Sequence, residues 1–208
     1  MDVARISTLL EPFGGDKEFP SLLLDQIRVY LDLLLRWNAR VNLTAVRDAE
    51  QIVTRHFGES LFAARLLLGC DSTPLLSAAD VGSGAGFPGI PLKLFAPALR
   101  ITLIEAQHKK AVFLREAIRE LKLEDVEVFC GRAEDWGKQA DIVMLRAVER
   151  FERVLPTAAQ LLSPAGRLCL LIGSNQLEAA RQFVALRWSA PVVIPQSDNR
   201  IVAIGQNT

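Results

Sequence analysis

The residues best equipped for chemistry lie in SAADVGSGAGFPGIP, Ser77 to Pro91. An apolar, small-residue run gives way to Asp80, then to Gly82, Gly84, Gly86 and Gly89, then to a proline-flanked apolar start. Such a change reads as a buried strand ending in a tight loop that opens a helix. Glycines permit positive φ and close main-chain approach, and the helix start behind them leaves unpaired N–H groups facing the loop. That is the geometry of a cofactor cradle. Gly84, Gly86 and Gly89 match the dinucleotide spacing G-x-G-x-x-G, whereas Gly82, Gly84 and Gly86 give G-x-G-x-G, which suits a nucleoside without a pyrophosphate. A purely structural turn is a third reading. The lysine and hydroxyl of a phosphate-binding P-loop are missing.

Other chemistry-bearing residues follow at intervals. Glu105 comes about 20 residues beyond the loop, where an acid accepts hydrogen bonds from ribose hydroxyls and repels a 2'-phosphate. Asp80 is placed to order the loop backbone or accept from an amine. Glu134 and the Ala133 amide, in GRAEDW, are placed to meet an adenine edge. Arg146 is placed at the reaction end, where a guanidinium can orient a base or phosphate. Ser83 sits in GSGAG and not in a G-x-S-x-G elbow, and neither His56 nor His108 is spaced to activate a nucleophile.

Positioning these groups requires strands alternating with helices. Strands are predicted at Leu75 to Val81, Ile101 to Glu105, Val126 to Phe129, Ile142 to Leu145, Leu168 to Ile172, near Pro191 to Pro195, and Ile201 to Ile204. Helices are predicted at Gly89 to Phe95, Lys109 to Leu121, Val154 to Leu162 and Gln176 to Leu186. This alternation implies an α/β fold with a mainly parallel sheet covered on both faces. Ligands of such sheets gather outside the C-terminal strand ends, which brings Asp80, the glycines, Glu105, Ala133, Glu134 and Arg146 to one crevice. Residues 1 to 68 form a helical extension packed on a Rossmann-like domain of residues 69 to 208. In the extension, Ile6 to Leu10 makes a helical turn or two before a break from Pro12 to Asp16. Leu23, Ile27, Tyr30, Leu31, Leu34 and Leu35 recur at helical spacing from Phe19 to Asn38, and Asp48 caps a helix running to Leu68.

The chain has 208 residues, 50% hydrophobic and 23% charged, which suits a globular protein with a sizeable core. The N-terminus lacks a secretory signal and no segment suits a membrane span, so a cytoplasmic protein is expected. Cys70, Cys130 and Cys169 form no pair motif, so buried thiols are expected and no metal site. A formal net charge of +0 argues against indiscriminate nucleic-acid binding but allows a local basic face.

NLTAVRD, RHFGES, DVGSGAGFPGIPL, TLIEAQHKKAVFLRE, CGRAEDW and DIVMLRAV together closely resemble the bacterial 16S ribosomal RNA guanine-N7 methyltransferase family, RsmG, formerly GidB. The resemblance runs from about residue 19 to the end and is densest from Asn42 to Val148. It implies a class I S-adenosylmethionine-dependent methyltransferase fold, with a mostly parallel seven-stranded sheet whose last strand is inserted antiparallel. It implies methyl transfer to N7 of a guanine in the 530 loop of 16S rRNA, at position 527, with 16S rRNA or the small subunit as partner and the enzyme a monomer. Carried over by position, Gly82, Ser83, Gly84, Gly86 and Phe87 hold the methionine part of the cofactor and Asp80 supports their loop. Glu105 and Ala106 serve the ribose, and Arg132, Ala133 and Glu134 the adenine side. Arg146 stands at the junction of cofactor and substrate as the catalytic residue. Asn42, Arg47, His56, Lys109 and Arg150 belong to the substrate side, and Arg40, Arg55, Lys110 and Arg153 are further RNA contacts. Two positions depart from the family pattern. Ile172 stands where a lysine often precedes the glycine, and Glu59 where an aspartate commonly precedes the serine. The alternatives are a same-fold methyltransferase with another acceptor, a nicotinamide oxidoreductase, and an RNA-binding assembly protein without turnover.

Overall fold

A computed structural model of the chain describes residues 1–69, 76–148 and 150–207. The expected linker at 69 to 75, with Cys70, lies outside them except for Gly69, as does the first residue assigned to the opening strand, Leu75. Helix α1 (Val3–Gly14) is capped by Asp2, whose carboxylate accepts from the Arg5 amide at 2.7 Å, and it buries Ile6, Leu10 and Phe13. It continues through Pro12, where a break was expected. The proline falls in the last turn, so it removes one hydrogen bond near an end that has few left to lose, and the turn buries Phe13. Helix α2 (Ser21–Val41) begins immediately after Pro20 and ends at Asn42 in the left-handed region, φ 52°.

Asp48 accepts from the Gln51 amide at 2.8 Å and starts the expected helix to Leu68. That helix is interrupted: α3 (Ala49–Ile52) passes into a π-helical turn at Val53–Gly58 and then into α4 (Glu59–Leu68). Gly58, the last residue of that turn, lets α1 approach closely, because a Cβ there would lie 2.6 Å from the Phe13 ring. π-turns of this kind occur often at functional sites, and this one carries Arg55 and His56.

From β1 (Ser77–Val81) the chain alternates: α5 (Gly89–Phe95), β2 (Arg100–Ile104), α6 (His108–Glu120), β3 (Val126–Phe129), a 3₁₀ turn at Ala133–Asp135, β4 (Ala140–Arg146), α7 (Phe151–Gln160), β5 (Leu162–Gly173) and α8 (Leu177–Phe183). Three further strands, β6 (Arg187–Trp188), β7 (Val192–Val193) and β8 (Arg200–Gln206), complete one sheet in the order β3-β2-β1-β4-β5-β8-β6. β1 to β5 are parallel and β8 runs antiparallel to β5, as expected. β6 and β7 both pair antiparallel with β8 in registers that differ by one residue. They act as one bulged edge strand, which reconciles eight segments with a seven-stranded plan.

The sheet carries a hydrophobic core on each face. One joins Ala78, Ile101, Leu103, Phe113, Ile142 and Cys169 to the side chains of α1, α2 and α4, so the N-terminal helices share their core with the sheet. The other joins Ala79, Val81, Val143 and Leu170 to Leu155 and Ala158 of α7 and Ala180 of α8. Cys169 is buried, but Cys130 at the end of β3 is exposed, against expectation, because β3 is the sheet's edge strand. Among the described residues no helix is long and apolar enough to cross a membrane.

Candidate active site

The C-terminal ends of β1, β2 and β4 open onto a cleft of about 870 Å³. After β1, Gly82, Gly84 and Gly86 all take positive φ, at 72°, 56° and 82°. Gly86 is fixed twice over, since a Cβ there would lie 2.4 Å from the Tyr30 hydroxyl oxygen. That hydroxyl, on α2, donates to the Ala85 carbonyl of the loop. Below the loop, Asp80 is buried. Its Oδ2 accepts from the Gly89 amide at 3.0 Å while Oδ1 has no partner among the described residues, and burial pushes its pKa up to about 7.

Glu105 follows β2 with both oxygens toward main chain: Oε2 accepts from the Gly84 amide at 2.9 Å and Oε1 from the Gln107 amide at 2.7 Å. Each carboxylate oxygen has a second lone pair, so the acid ties the glycine loop to β2 and keeps capacity for hydroxyl donors. Ala133 and Glu134 open the 3₁₀ turn beside it. Arg146 closes β4. Its Nη2 donates to the Arg55 carbonyl, to His56 Nδ1 at 3.1 Å and to Glu59 Oε2 at 3.1 Å. Burial pulls the guanidinium below its ordinary pKa, and Glu59 opposes this.

His56 is neutral. Burial first, and the Arg146 charge second, lower its pKa to about 3. Because Nδ1 accepts from Arg146, the proton is assigned to Nε2, which donates to the Thr44 hydroxyl at 2.8 Å. Its ring packs 5.0 Å from that of Phe87. Both nitrogens are occupied, so the imidazole is a structural link between β4 and the 44–46 turn.

The cleft gathers Gly82, Ser83, Gly84, Phe87, Glu105, Ala106, Arg132, Ala133, Glu134, Arg146, His56 and Arg150. Asp80, behind the loop, and Gly86, within it, do not line the cleft. Asn42, Arg47 and Lys109 do not line it. Arg47 donates to Asn42 at 3.5 Å on an exposed corner, and Lys109 is exposed while its neighbour Lys110 turns inward. Lys109 and Lys110 differ by one helical step, which a sequence pattern resolves only when the helix rotation is known. Sequence reasoning missed Thr44 as a partner of His56, Glu59 as the partner of Arg146, and Arg200. Glu59 carried one signal, its departure from the family pattern. Arg200 carried none. Among the described residues no three His, Cys, Asp or Glu side chains gather as a metal site.

A left-handed glycine loop and a strand-end acid with spare acceptor capacity suit a nucleoside ligand, which fits S-adenosylmethionine. The family model for rRNA small subunit methyltransferase G matches residues 23–192. The chain belongs to this family. A ribosomal RNA small subunit methyltransferase G of Streptococcus thermophilus (strain CNRZ 1066) is 34% identical over 194 residues, covering 86% of this chain and 81% of that one. Its counterpart in Streptococcus pyogenes serotype M49 (strain NZ131) is 32% identical over the same shares. Among solved structures, magnesium protoporphyrin IX methyltransferase from Synechocystis PCC 6803, with bound SAM, aligns at a TM-score of 0.67 and 13% identity, covering 86% of this chain and 97% of that one. A ribosomal protein L11 methylase from Lactobacillus delbrueckii subsp. bulgaricus aligns at 0.59 and 18% identity, covering 73% and 80%. The structures share the fold. With the family they make this chain an S-adenosylmethionine-dependent methyltransferase.

Proposed function

We propose that this family member methylates N7 of a guanine in the 530 loop of 16S rRNA, giving 7-methylguanosine. The observation that carries the reading is a glycine loop meeting a cationic strand end with, among the described residues, no free side-chain base next to that strand end. Of the titratable groups nearest Arg146, His56 is neutral with both nitrogens bonded and Glu59 is held by two arginines. Guanine N7 suits such a site. It carries an available lone pair, and no proton must leave before it attacks.

Bound S-adenosylmethionine supplies a methyl group on a sulfonium, so the N–C bond forms as the S–C bond breaks and the positive charge passes to the guanine. The chain's part is positioning and electrostatics. The Gly82–Gly86 loop would seat the methionine part, with Asp80 holding the loop from behind through the Gly89 amide, Glu105 would hold the ribose hydroxyls, and Ala133 with Glu134 would meet the adenine edge. Arg146 would fix the acceptor nucleotide, with Arg150 and Lys110 on the RNA side. A loop target is accessible to this chemistry where a duplex base is not.

Labelled methyl transfer to undermethylated small subunits and to naked 16S rRNA, followed by mapping of the product, tests this. The expected result is 7-methylguanosine in the 530 loop. Methyl incorporation elsewhere with unmodified 16S rRNA overturns the reading.

A further inference from the structure

Glu59 is 3% exposed in its side chain and holds one guanidinium on each oxygen, Arg146 Nη2 at 3.1 Å from Oε2 and Arg200 Nε at 2.8 Å from Oε1. The arginines come from β4 and β8, the two strands that flank β5, and the carboxylate stands on the first residue of α4. One acid therefore joins three elements that are 87 and 141 residues apart in the chain. The pairing leaves donors over. A guanidinium has five N–H groups. Arg146 uses only Nη2, and Arg200 uses only Nε among its side-chain nitrogens, within the described residues. Both arginines line the cleft.

We propose that Glu59 is a positioning residue that holds Arg146 and Arg200 side by side, so that their unspent N–H edges present one site to an oxygen acceptor of the substrate nucleotide. This rests on the methyl-transfer reading above. The acceptor is either the guanine O6 or a phosphodiester oxygen, which share the same hydrogen-bonding chemistry. Without the carboxylate the two like charges repel, and each long side chain regains its rotamer freedom.

The sign of the effect distinguishes positioning from bulk electrostatics. Removing a negative charge from a cationic cleft raises its potential, so a purely electrostatic role predicts tighter anion binding in Glu59→Gln. Loss of positioning predicts weaker binding, because the glutamine amide turns a donor toward one arginine. The full-length wild type, Glu59→Gln and Glu59→Asp are compared in kcat and KM on undermethylated subunits, affinity for S-adenosylhomocysteine, melting temperature, and affinity for guanosine and guanosine 5'-monophosphate with S-adenosylhomocysteine bound. Glu59→Gln is expected to lower kcat by about tenfold or more, the size of losing an interaction made in the transition state, to weaken the nucleotide probe and to leave S-adenosylhomocysteine affinity unchanged. Glu59→Asp, which keeps the charge, is expected to recover part of the loss. Weakening confined to the monophosphate identifies a phosphate oxygen, and equal weakening of guanosine identifies O6. Retained kcat or a tighter probe overturns the proposal, as does a parallel loss of kcat, cofactor affinity and melting temperature in both variants. If Glu59→Gln does not fold, Arg200→Lys takes its place. It keeps the charge and removes the planar fork, and full activity in it also overturns the proposal. If the wild type does not methylate 16S rRNA, the acceptor reading fails on its own while the probe affinities still decide the role of Glu59.

Discussion

Two buried titratable residues flank the glycine loop with opposite shifts. Asp80 is raised from 3.8 to about 7, chiefly by burial and against the Gly89 amide, and His56 is lowered from 6.5 to about 3, chiefly by burial. Between those values the folded protein holds a proton on Asp80 that the unfolded chain has lost, so this contribution to stability falls as pH rises. His56 does the reverse. The unfolded chain binds its proton below 6.5 while the folded chain stays neutral to about 3, so this contribution is present above 6.5 and is lost as pH falls. In the overlap the two slopes cancel. Replacing Asp80 with asparagine should uncover the histidine slope: the stability of the variant minus that of the wild type should rise with pH from about 4 to about 7, by at most about 1.4 kcal/mol per unit, and then level off. Urea unfolding at stepped pH measures it. Parallel curves for the two proteins would place the Asp80 pKa near that of an ordinary carboxylate.

Helix α2 reaches the same loop from the other side. Its apolar spacing was legible, because Leu23, Ile27, Tyr30, Leu31 and Leu34 repeat with the helical period and are all buried. That Tyr30 spends its hydroxyl on Ala85 was not legible, since the partner is 55 residues away and only the packed sheet brings it there. The ring stacks on Phe87 at 5.5 Å and meets Phe57 edge-on at 5.3 Å, so aromatic packing holds the hydroxyl in place. Tyr30→Phe should keep that packing and leave the Ala85 carbonyl without its donor, costing about 1 kcal/mol of stability. It should also loosen S-adenosylhomocysteine binding several-fold at unchanged RNA affinity if the loop seats the cofactor as proposed. Calorimetric titration and a melting curve check both, and unchanged cofactor affinity would make Tyr30 a core residue only. The same contrast holds elsewhere. Strand ends were readable because parallel topology sends every C-terminal end to one edge, which gathered Glu105, Glu134 and Arg146 correctly. The π-turn was not, because one extra residue per turn barely disturbs an apolar period, and the close approach of Phe13 to Gly58 joins residues 45 positions apart. The Glu59–Arg200 pair has no sequence trace at all, being a contact between the first helix turn after that bulge and the last strand.

The whole molecule has a formal net charge of +0, yet among the described residues its cleft is lined by seven Lys and Arg side chains against three Glu, so positive charge is concentrated there and offset elsewhere. Arg150 and Arg153 carry this charge furthest along the cleft, since both line it and an adjoining cavity of about 410 Å³ that they share with Glu152, Asn175 and Gln176. They stand at the start of α7, and in the rRNA reading they are candidates for phosphate contacts. Phosphate contacts fix position without reading sequence, and each one releases counterions, so log affinity falls with log salt by roughly 0.7 to 0.9 per contact. Arg150→Gln with Arg153→Gln should therefore weaken binding of the small-subunit rRNA and flatten its salt slope by roughly 1.4 to 1.8 if both arginines meet phosphates. S-adenosylhomocysteine affinity should not change. Binding titrations over a salt series measure slope and intercept together. Weaker binding at an unchanged slope would mean that the pair contacts bases, and an unchanged affinity would place the RNA path on another face of the cleft.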